Sequence, residues 1–357
     1  MKLADFIKPD IEKARSINLE RDRGHGPALL SYQITGKGCE ILSRFIQALR
    51  GERVSAWSLT GPYGMGKSAF ANFLLACTGP NSAKETMLAF ARLQEYNKGL
   101  AKDFRNAVDE ATQKRGFIRI PITAGFEPVN KSIVMGVLNA LDNGQFVSVA
   151  PGVIKELKAD WLSLSQLDQP DSQSLKKGLS ALRMRMQRPI LMIIDEFGKN
   201  LEYMAHHPDK GDIFIIQLLA ETTGIFLWVC LHQAFEGYAA GLTAQQRREW
   251  SKVQGRFEDI AFIESTSQML ALMRRVLVQK PDQRLQAQVN QWAKRCRDIS
   301  KKARIPFVED MTESEIASLY PLPPITAIVL PELCRRFAQN DRTLYAFLCG
   351  GDQIALP

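Results

Sequence analysis

Five short segments rich in apolar residues recur along the first three quarters of the chain. Each has the length of a strand and is bounded by polar or turn-forming residues, a pattern typical of strands buried in a parallel sheet. The segments are residues 54–59, 116–122, 189–194, 224–231 and 256–263. They predict a parallel sheet of five strands.

Between these segments, apolar residues recur at helical spacing, as they do at Ile41, Phe45 and Leu49. The predicted helices are residues 39–49, 68–76, a pair within 83–115 that is interrupted near Asn97, 131–141, 153–164, 174–187, 212–221 and 243–254. Strands that alternate with helices favour an α/β fold in which helices flank the sheet.

The pattern changes after Glu264, where only helical periodicity remains. The predicted helices there are residues 267–279, 283–302, 313–320, 326–341 and 343–348. The sequence therefore predicts an α/β domain of residues 1–264, followed by a small all-helical domain of residues 265–357. Residues 123–188 form a longer connection than a β–α–β crossover requires, which either carries a partner-binding surface or only adds packing.

The loop after the first predicted strand reads Gly-x-x-x-x-Gly-Lys-Ser from Gly61 to Ser68. This is the phosphate-binding loop, and the strand before it and the helix after it are the context that the motif requires. Its glycines let successive backbone N–H groups point at phosphate oxygens. Lys67 would reach the β- and γ-phosphates, and the Ser68 hydroxyl would bind Mg²⁺. The predicted nucleotide contacts are Gly61, Pro62, Tyr63, Gly64, Met65, Gly66, Lys67, Ser68 and Ala69.

The third predicted strand ends in Asp195 and Glu196. Open α/β sheets place their ligands at the carboxyl ends of their strands. We expect Asp195 to hold Mg²⁺ and Glu196 to polarise the attacking water. The alternatives are an acidic turn here and a chance glycine-rich turn at Gly61. Together the two motifs predict a phosphate-loop ATPase that uses ATP and Mg²⁺, with Lys67 and Glu196 as catalytic residues.

The composition is that of a globular protein that can bury a substantial core, with 357 residues of which 45% are hydrophobic. No apolar segment reaches the length of a membrane span, and the N-terminus has no hydrophobic signal core. We therefore expect a cytoplasmic protein with no membrane association. Six cysteines without a Cys-x-x-Cys pair favour reduced, buried thiols over disulfides or a zinc site.

The net charge of +8 is concentrated in one segment, residues 270–304. That segment contains ten basic residues and two acidic ones, Asp282 and Asp298, so the rest of the chain is neutral overall. A basic segment with a tryptophan, Trp292, is typical of a surface that binds the DNA backbone. The alternatives are a solvated helix face and a surface that meets an acidic partner.

With these elements placed, the chain resembles the AAA+ ATPase family over residues 17–348. Three strings, at residues 59–68, 194–199 and 339–348, look like the ATPase modules of bacterial anti-phage defence systems of the BREX kind. These modules are in turn similar to origin-recognition-type ATPases. The resemblance implies a phosphate-loop NTPase fold with a helical lid, and assembly as a homo-oligomer or with partner subunits.

The resemblance also implies roles for residues outside the two motifs. Asn18 precedes the core where such proteins contact adenine, and Gln233 or its neighbour His232 would be the polar sensor at the end of the fourth strand. Arg256 would be a catalytic arginine finger for a neighbouring subunit, with an ordinary surface ion pair as the alternative. Arg335 or Arg336 could be a second sensor, although a basic helix face is the favoured interpretation there.

Three functions follow from these observations. The first is an AAA+-like module that couples ATP binding and hydrolysis to assembly on DNA or with partner proteins, in anti-phage defence. The second is a nucleotide-gated signalling or scaffold protein with slow turnover and no DNA binding. A metabolic kinase is disfavoured because no separate acid–base set is visible. We expect the chain to be the ATPase subunit of a larger system or part of a longer protein.

Overall fold

A computed structural model of the chain describes most of its residues. The described residues are 7–9, 17–22, 24, 26–62, 65–146, 149–207, 210, 212–263, 266–279, 283–306, 308–337, 344 and 348. The chain divides into two compact units. The larger unit contains Ile17–Pro62 and Gly66–Phe262, and the smaller contains Met1–Ser16, Tyr63–Met65 and Ile263–Pro357. Among the described helices, none combines the length and the apolar character needed to cross a membrane.

Seven strands are described. In chain order they are β1 (Ile7–Pro9), β2 (Ala56–Thr60), β3 (Ile118–Thr123), β4 (Ile190–Asp195), β5 (Ile225–Leu231), β6 (Glu258–Ala261) and β7 (Leu277–Gln279). Strands β2 to β6 form one sheet in the order β3-β4-β5-β2-β6, and all its pairs are parallel. The predicted five-stranded parallel sheet is therefore confirmed.

The helices of the larger unit flank this sheet. They are α1 (Gly26–Ser31), α2 (Gly36–Leu49), α3 (Lys67–Cys77), α4 (Lys84–Tyr96), α5 (Lys98–Thr112), α6 (Val129–Asp142), α7 (Pro151–Ser165), α8 (Ser172–Met186), α9 (Gly198–His206), α10 (Phe214–Ala220), α11 (Phe235–Tyr238) and α12 (Ala244–Gln254). Helices α1, α9 and α11 were not predicted.

The two faces of the sheet carry different side chains. Alternate positions such as Ile120 and Met192 belong to a large aliphatic core that also includes residues of α6 and α8. On the other face Trp57 of β2 stacks on Trp228 of β5, with 4.6 Å between ring centroids. Phe45 of α2 meets the Trp57 ring edge-on at 5.7 Å. Both faces are thus buried, which explains the continuous apolar runs in the sequence.

Polar caps determine where several helices begin. The Asn97 side chain accepts a hydrogen bond from the Leu100 backbone N–H at 3.0 Å, so α5 begins just after α4 ends. Thr243 and Gln246 form a reciprocal capping box at the start of α12. Such caps satisfy backbone N–H groups that have no partner within the helix. The predicted break near Asn97 is confirmed, and its cause is this cap.

The smaller unit contains α13 (Thr266–Val276), α14 (Gln283–Lys302), α15 (Glu313–Ala317) and α16 (Pro324–Phe337). Residues such as Met273, Val289 and Ile316 form its apolar core. The expectation of helices alone after Glu264 was wrong, because β7 follows α13 and pairs antiparallel with β1. The partner strand lies more than 260 residues away in the sequence, so local periodicity could not show the pairing. The predicted helix at residues 343–348 falls mainly outside the described residues.

Candidate functional site

Three adjacent strands of the sheet, β4, β5 and β2, end at the same edge, and β5 connects the segments that follow the other two. The Gly61 N–H after β2 donates to the Leu231 carbonyl at 3.1 Å. The Phe197 N–H after β4 donates to the Cys230 carbonyl, also at 3.1 Å. The end of β5 therefore holds the glycine-rich loop and the acidic turn side by side.

Two glycines of the loop occupy positions where a side chain would be strained. A Cβ atom on Gly61 would lie 2.6 Å from the Phe262 carbonyl oxygen, closer than such contacts occur. Gly66 has a φ of +87°, in the left-handed region, and it is the residue from which α3 begins. Glycine fits both positions without cost, because it has no Cβ atom to clash at the first and it adopts a positive φ readily at the second. The loop thus turns sharply into the positively polarised N-terminus of α3.

Lys67 is the first residue of α3, and its side chain is buried, with 5% of the residue exposed. Its ammonium group donates to the carbonyl oxygens of Gly61 and Pro62, the latter at 2.8 Å. Burial lowers the pKa of Lys67, while Cys230, Asp195 and Glu196 oppose that shift electrostatically. The first two residues of the loop therefore hold a buried cation through their carbonyl groups.

Asp195, the last residue of β4, faces the same cluster and is 4% exposed. Burial raises the pKa of this carboxyl group, and a hydrogen bond from the Ser68 side chain lowers it. The Glu196 backbone N–H also donates to the carboxylate, at 3.0 Å. The buried Cys230 thiol of β5 is hydrogen-bonded to Asp195, and its pKa is raised by burial first and then by the Asp195 charge. Ser68 and Asp195 thus meet as an oxygen pair that suits a hard cation.

Glu196 has a backbone φ of +54°, which is unusual for a residue with a side chain. Such conformations persist where the surroundings hold them, and they cluster at functional sites. The Glu196 carboxylate forms an ion pair with Lys199 in the first turn of α9. The Lys199 backbone N–H also donates to the Glu196 carbonyl at 2.9 Å. The turn therefore presents this carboxylate at the edge of the cluster, next to a cation.

His232 follows β5 and belongs to the cluster electrostatically. Burial lowers its pKa to about 3, and the charges of Lys67 and Lys199 act in the same direction. Its backbone N–H donates to the Tyr238 hydroxyl at 3.3 Å. Gln233, the predicted sensor, is instead exposed, and its side chain lies over Gly237. The structure therefore places His232, rather than Gln233, near Lys67.

Asn18 lies in a tight turn at residues 17–22. Its side-chain oxygen accepts hydrogen bonds from the backbone N–H groups of Glu20 and Arg21, at 3.1 and 3.0 Å. The Glu20 carboxylate accepts a hydrogen bond from the Thr123 N–H at 3.0 Å, so the turn is attached where β3 ends. Asn18 thus lies at the carboxyl edge of the sheet, where the nucleotide contact was predicted. Its side-chain oxygen, however, accepts hydrogen bonds within its own turn.

Arg256 lies away from this cluster. It precedes β6, so it belongs to the amino edge of the parallel sheet, whereas the cluster lies at the carboxyl edge. Its guanidinium Nε pairs with Glu221 at 2.7 Å, and both side chains are about half exposed. The structure therefore contains the surface ion pair that was the alternative interpretation of Arg256. Arg256 could act as an arginine finger only on the nucleotide of a neighbouring subunit.

The remaining predicted residues divide between the two units and the undescribed segments. Ala69 lies in the first turn of α3, and Met65 belongs to the smaller unit. Tyr63 and Gly64 lie outside the described residues, as do the side chains of Arg335 and Arg336.

Sequence reasoning missed Cys230 and Lys199. The spacing of Lys199 three residues after Glu196, typical of a helical ion pair, could have identified it. No pattern in the sequence pointed to Cys230, because the residues around it are set by the order of the strands in the sheet.

In the part of the chain that the structure describes, no group of three or more histidine, cysteine, aspartate or glutamate residues could hold a metal ion by itself. A comparison with models of protein families gave no match, and a comparison with curated proteins gave none. The fold and site define an α/β protein with a glycine-rich loop, a buried lysine and an acidic pair at one edge of a parallel sheet.

Proposed function

We propose that the protein is an AAA+-like ATPase module that binds ATP with Mg²⁺ and hydrolyses it, in the cytoplasm. The observation that carries this proposal is the meeting of Lys67, Ser68, Asp195 and Glu196 at the carboxyl edge of the sheet. These residues come from two segments more than 120 positions apart in the sequence. Burying charged groups generally costs stability, so packing alone does not account for their convergence.

The strand order supports the same site. The chain leaves β2 for the far strand β3, returns through β4 and β5, and then crosses β2 to reach β6. The connections therefore diverge beside β2, which creates a crevice outside the carboxyl ends of the strands. Open α/β sheets bind ligands at such a switch point. The glycine-rich loop lies there, at the end of β2.

The residues present fit a nucleotide. The close approach of Gly61 to Phe262 and the left-handed Gly66 leave a backbone cradle with no side chain on those two residues. Lys67 would exchange its loop carbonyl partners for β- and γ-phosphate oxygens, which are stronger, charge-assisted acceptors. Ser68 and Asp195 would hold Mg²⁺, with phosphate oxygens and water completing its coordination. The bound ion would draw charge from the transferred phosphoryl group.

Glu196 would then accept a hydrogen bond from the attacking water and polarise it. His232 stays neutral at physiological pH and therefore adds no positive charge beside Lys67. A neutral imidazole can still donate or accept one hydrogen bond, as a polar sensor requires. We assign the sensor role to His232.

Substitution of the two motif residues tests this function. We expect Lys67→Ala to lose most ATP affinity by calorimetric titration, and Glu196→Gln to keep ATP affinity but lose turnover. Lys252→Ala, an exposed lysine on α12, is the matched control and should behave like the parent protein. ATP affinity of Lys67→Ala within a few-fold of the parent would reject the site.

One face of the smaller unit supports the proposal of assembly on DNA, and this unit would be the helical lid of the module. Helix α14 buries Leu285, Val289 and Ala293, and the exposed cations of its C-terminal half lie on the opposite face. Those cations are Lys294, Arg295, Lys301 and Lys302. The exposed Asp298 lies among these four cations, so the face keeps a net positive charge. A basic face suits the sequence-independent contacts that a DNA backbone offers. Anti-phage defence remains the biological setting we propose, with other copies or partner subunits in the assembly.

One observation favours the second candidate, a nucleotide-gated scaffold with slow turnover. Lys199 forms an ion pair with the Glu196 carboxylate, which would otherwise be available to polarise water. An ATPase assay with and without double-stranded DNA separates the two functions. ATP turnover that DNA stimulates would support the ATPase module. Slow ATP hydrolysis at the same rate with and without DNA would support the scaffold.

A further inference from the structure

A groove between helices α4 and α5 lies apart from the nucleotide site. Its volume is about 410 Å³, towards the lower end of the roughly 300–1,000 Å³ range of small-ligand sites. Arg105 in this groove donates to the Gly79 carbonyl at 3.4 Å, just beyond the C-terminal end of α3. Lys67 lies at the opposite end of α3, roughly 16 Å away for a helix of this length. The groove is therefore a separate feature of the larger unit.

An aromatic ring and a guanidinium group form one wall of the groove. The Arg105 guanidinium carbon lies 5.0 Å from the centre of the Phe90 ring, a cation–π contact. An ion pair with Asp109 orients the Arg105 group further. Two planar groups held in this way present a flat, polarisable surface against which a planar ligand can pack.

Two buried polar atoms at the groove have no hydrogen-bond partner among the described residues. They are Nε of Arg105 and Oγ1 of Thr86, and Thr86 is only 1% exposed. Buried polar groups are normally satisfied, so an orphaned donor requires an explanation. Both residues line the groove, and the two atoms are closed to solvent, so a ligand would reach them only after these side chains move.

Among the described residues, the rest of the lining combines amides, one cation without an ion-pair partner and exposed apolar surface. Gln94 and Asn106 place side-chain amides at the groove, and Lys102 is exposed beside them. Because Asp109 balances Arg105, Lys102 leaves the groove with about one positive charge. Met87, which is 55% exposed, adds an uncovered apolar contact. The wall thus matches a flat ligand with hydrogen-bonding edges and a negatively charged group.

We propose that this groove binds a nucleoside monophosphate. The base would pack against the Phe90–Arg105 wall, and the amides of Gln94 and Asn106 would hydrogen-bond its edges. The phosphate would pair with Lys102. A nucleoside triphosphate carries more negative charge than a monophosphate, and it therefore fits the charge of the described lining less well. The proposal does not depend on the ATPase function.

The test uses the full-length chain carrying Lys67→Ala, so that the groove is separated from the phosphate loop. Calorimetric titration with AMP should show saturable binding at one site, and adenosine should bind several-fold more weakly because it lacks the charge. Phe90→Leu should weaken AMP binding about 5- to 100-fold, the range expected for lost base stacking. Lys102→Ala should weaken it about 2- to 5-fold, as expected for an exposed ion pair.

Lys98→Ala, on the same helix but outside the groove lining, is the matched control and should bind AMP like its parent. Thermal unfolding establishes that each variant is folded. If Phe90→Leu does not fold, Lys102→Ala and Gln94→Ala carry the test, because both side chains are exposed. Absence of saturable AMP binding, or groove variants that bind like the Lys98→Ala control, would overturn the proposal.

Discussion

Lys199 forms an ion pair with Glu196, the carboxylate that we assign to water activation. The lysine lies in the first turn of α9, three residues beyond the glutamate, and nearly half of its side chain is exposed. A partner that attracted this ammonium group would free the carboxylate. The pair thus offers a direct route by which binding elsewhere could change turnover.

We expect Lys199→Met to raise ATP turnover several-fold, because methionine keeps the length of the side chain and removes its charge. The measurement is kcat at saturating ATP and Mg²⁺, with Lys252→Met as the control for loss of one surface charge. Reduced turnover with unchanged ATP affinity would show instead that Lys199 positions Glu196.

Ser68→Ala should raise the Mg²⁺ concentration needed for half-maximal turnover by at least about tenfold, the lower limit of effects seen when metal-orienting groups are lost. It also removes a hydrogen bond to the buried Asp195. That loss should cost about 1–3 kcal/mol of stability. Ser68→Thr keeps the hydroxyl and should restore both properties. Parent-like Mg²⁺ dependence in Ser68→Ala would remove Ser68 from the metal site.

Arg256→Ala should lower turnover by about 10³-fold or more if the residue acts on a neighbouring subunit. Glu221→Gln breaks the same ion pair but keeps the arginine, so its turnover should stay within a few-fold of the parent. Mixing Arg256→Ala with Lys67→Ala should restore activity, since each supplies what the other lacks. Equal, small effects of both substitutions would leave Arg256 as one half of a surface ion pair.

His232 should make stability depend on pH. Its pKa is about 3 in the folded chain, against an ordinary value of 6.5. Between these values the unfolded chain binds the proton and the folded chain does not, so stability falls as pH falls from about 6.5 towards 3. Relative to His232→Gln, the parent should lose at most about 1.4 kcal/mol per pH unit. Urea unfolding at pH 7, 6 and 5 measures this, and a constant difference would contradict it.

Reversing the charge of the basic face of α14 should abolish DNA binding and leave ATP affinity unchanged. The substitutions are Lys294→Glu, Arg295→Glu, Lys301→Glu and Lys302→Glu. Loss of about three phosphate contacts should flatten the plot of log K against log salt by about three. Arg297→Gln is the control, because Arg297 already pairs with Glu313 at 3.1 Å. If DNA affinity and its salt dependence are unchanged, the basic face of α14 is a solvated surface that does not contact DNA.

The sequence by itself determined the local elements of the molecule and the residue types at its candidate site. The strand at residues 189–194 was predicted within one residue of β4, and α14 has the predicted bounds. The spacing of hydrophobic residues, the glycines and the polar helix caps each depend on only a few neighbouring residues. They can therefore be recognised in the sequence before the fold is known. The pairing of the glycine-rich loop with Asp195 was also expected, because both follow strands of one parallel sheet.

Tertiary structure alone decided the other side-chain contacts between distant parts of the chain. Cys230 lies against Asp195 because β5 lies between β4 and β2, and His232 approaches Lys67 for the same reason. Likewise, β1 joins β7 through the backbone, in a pairing that depends little on side-chain identity. Strand order, register and long-range pairing depend on how the whole chain buries its apolar surface. No local pattern of residues carries that information.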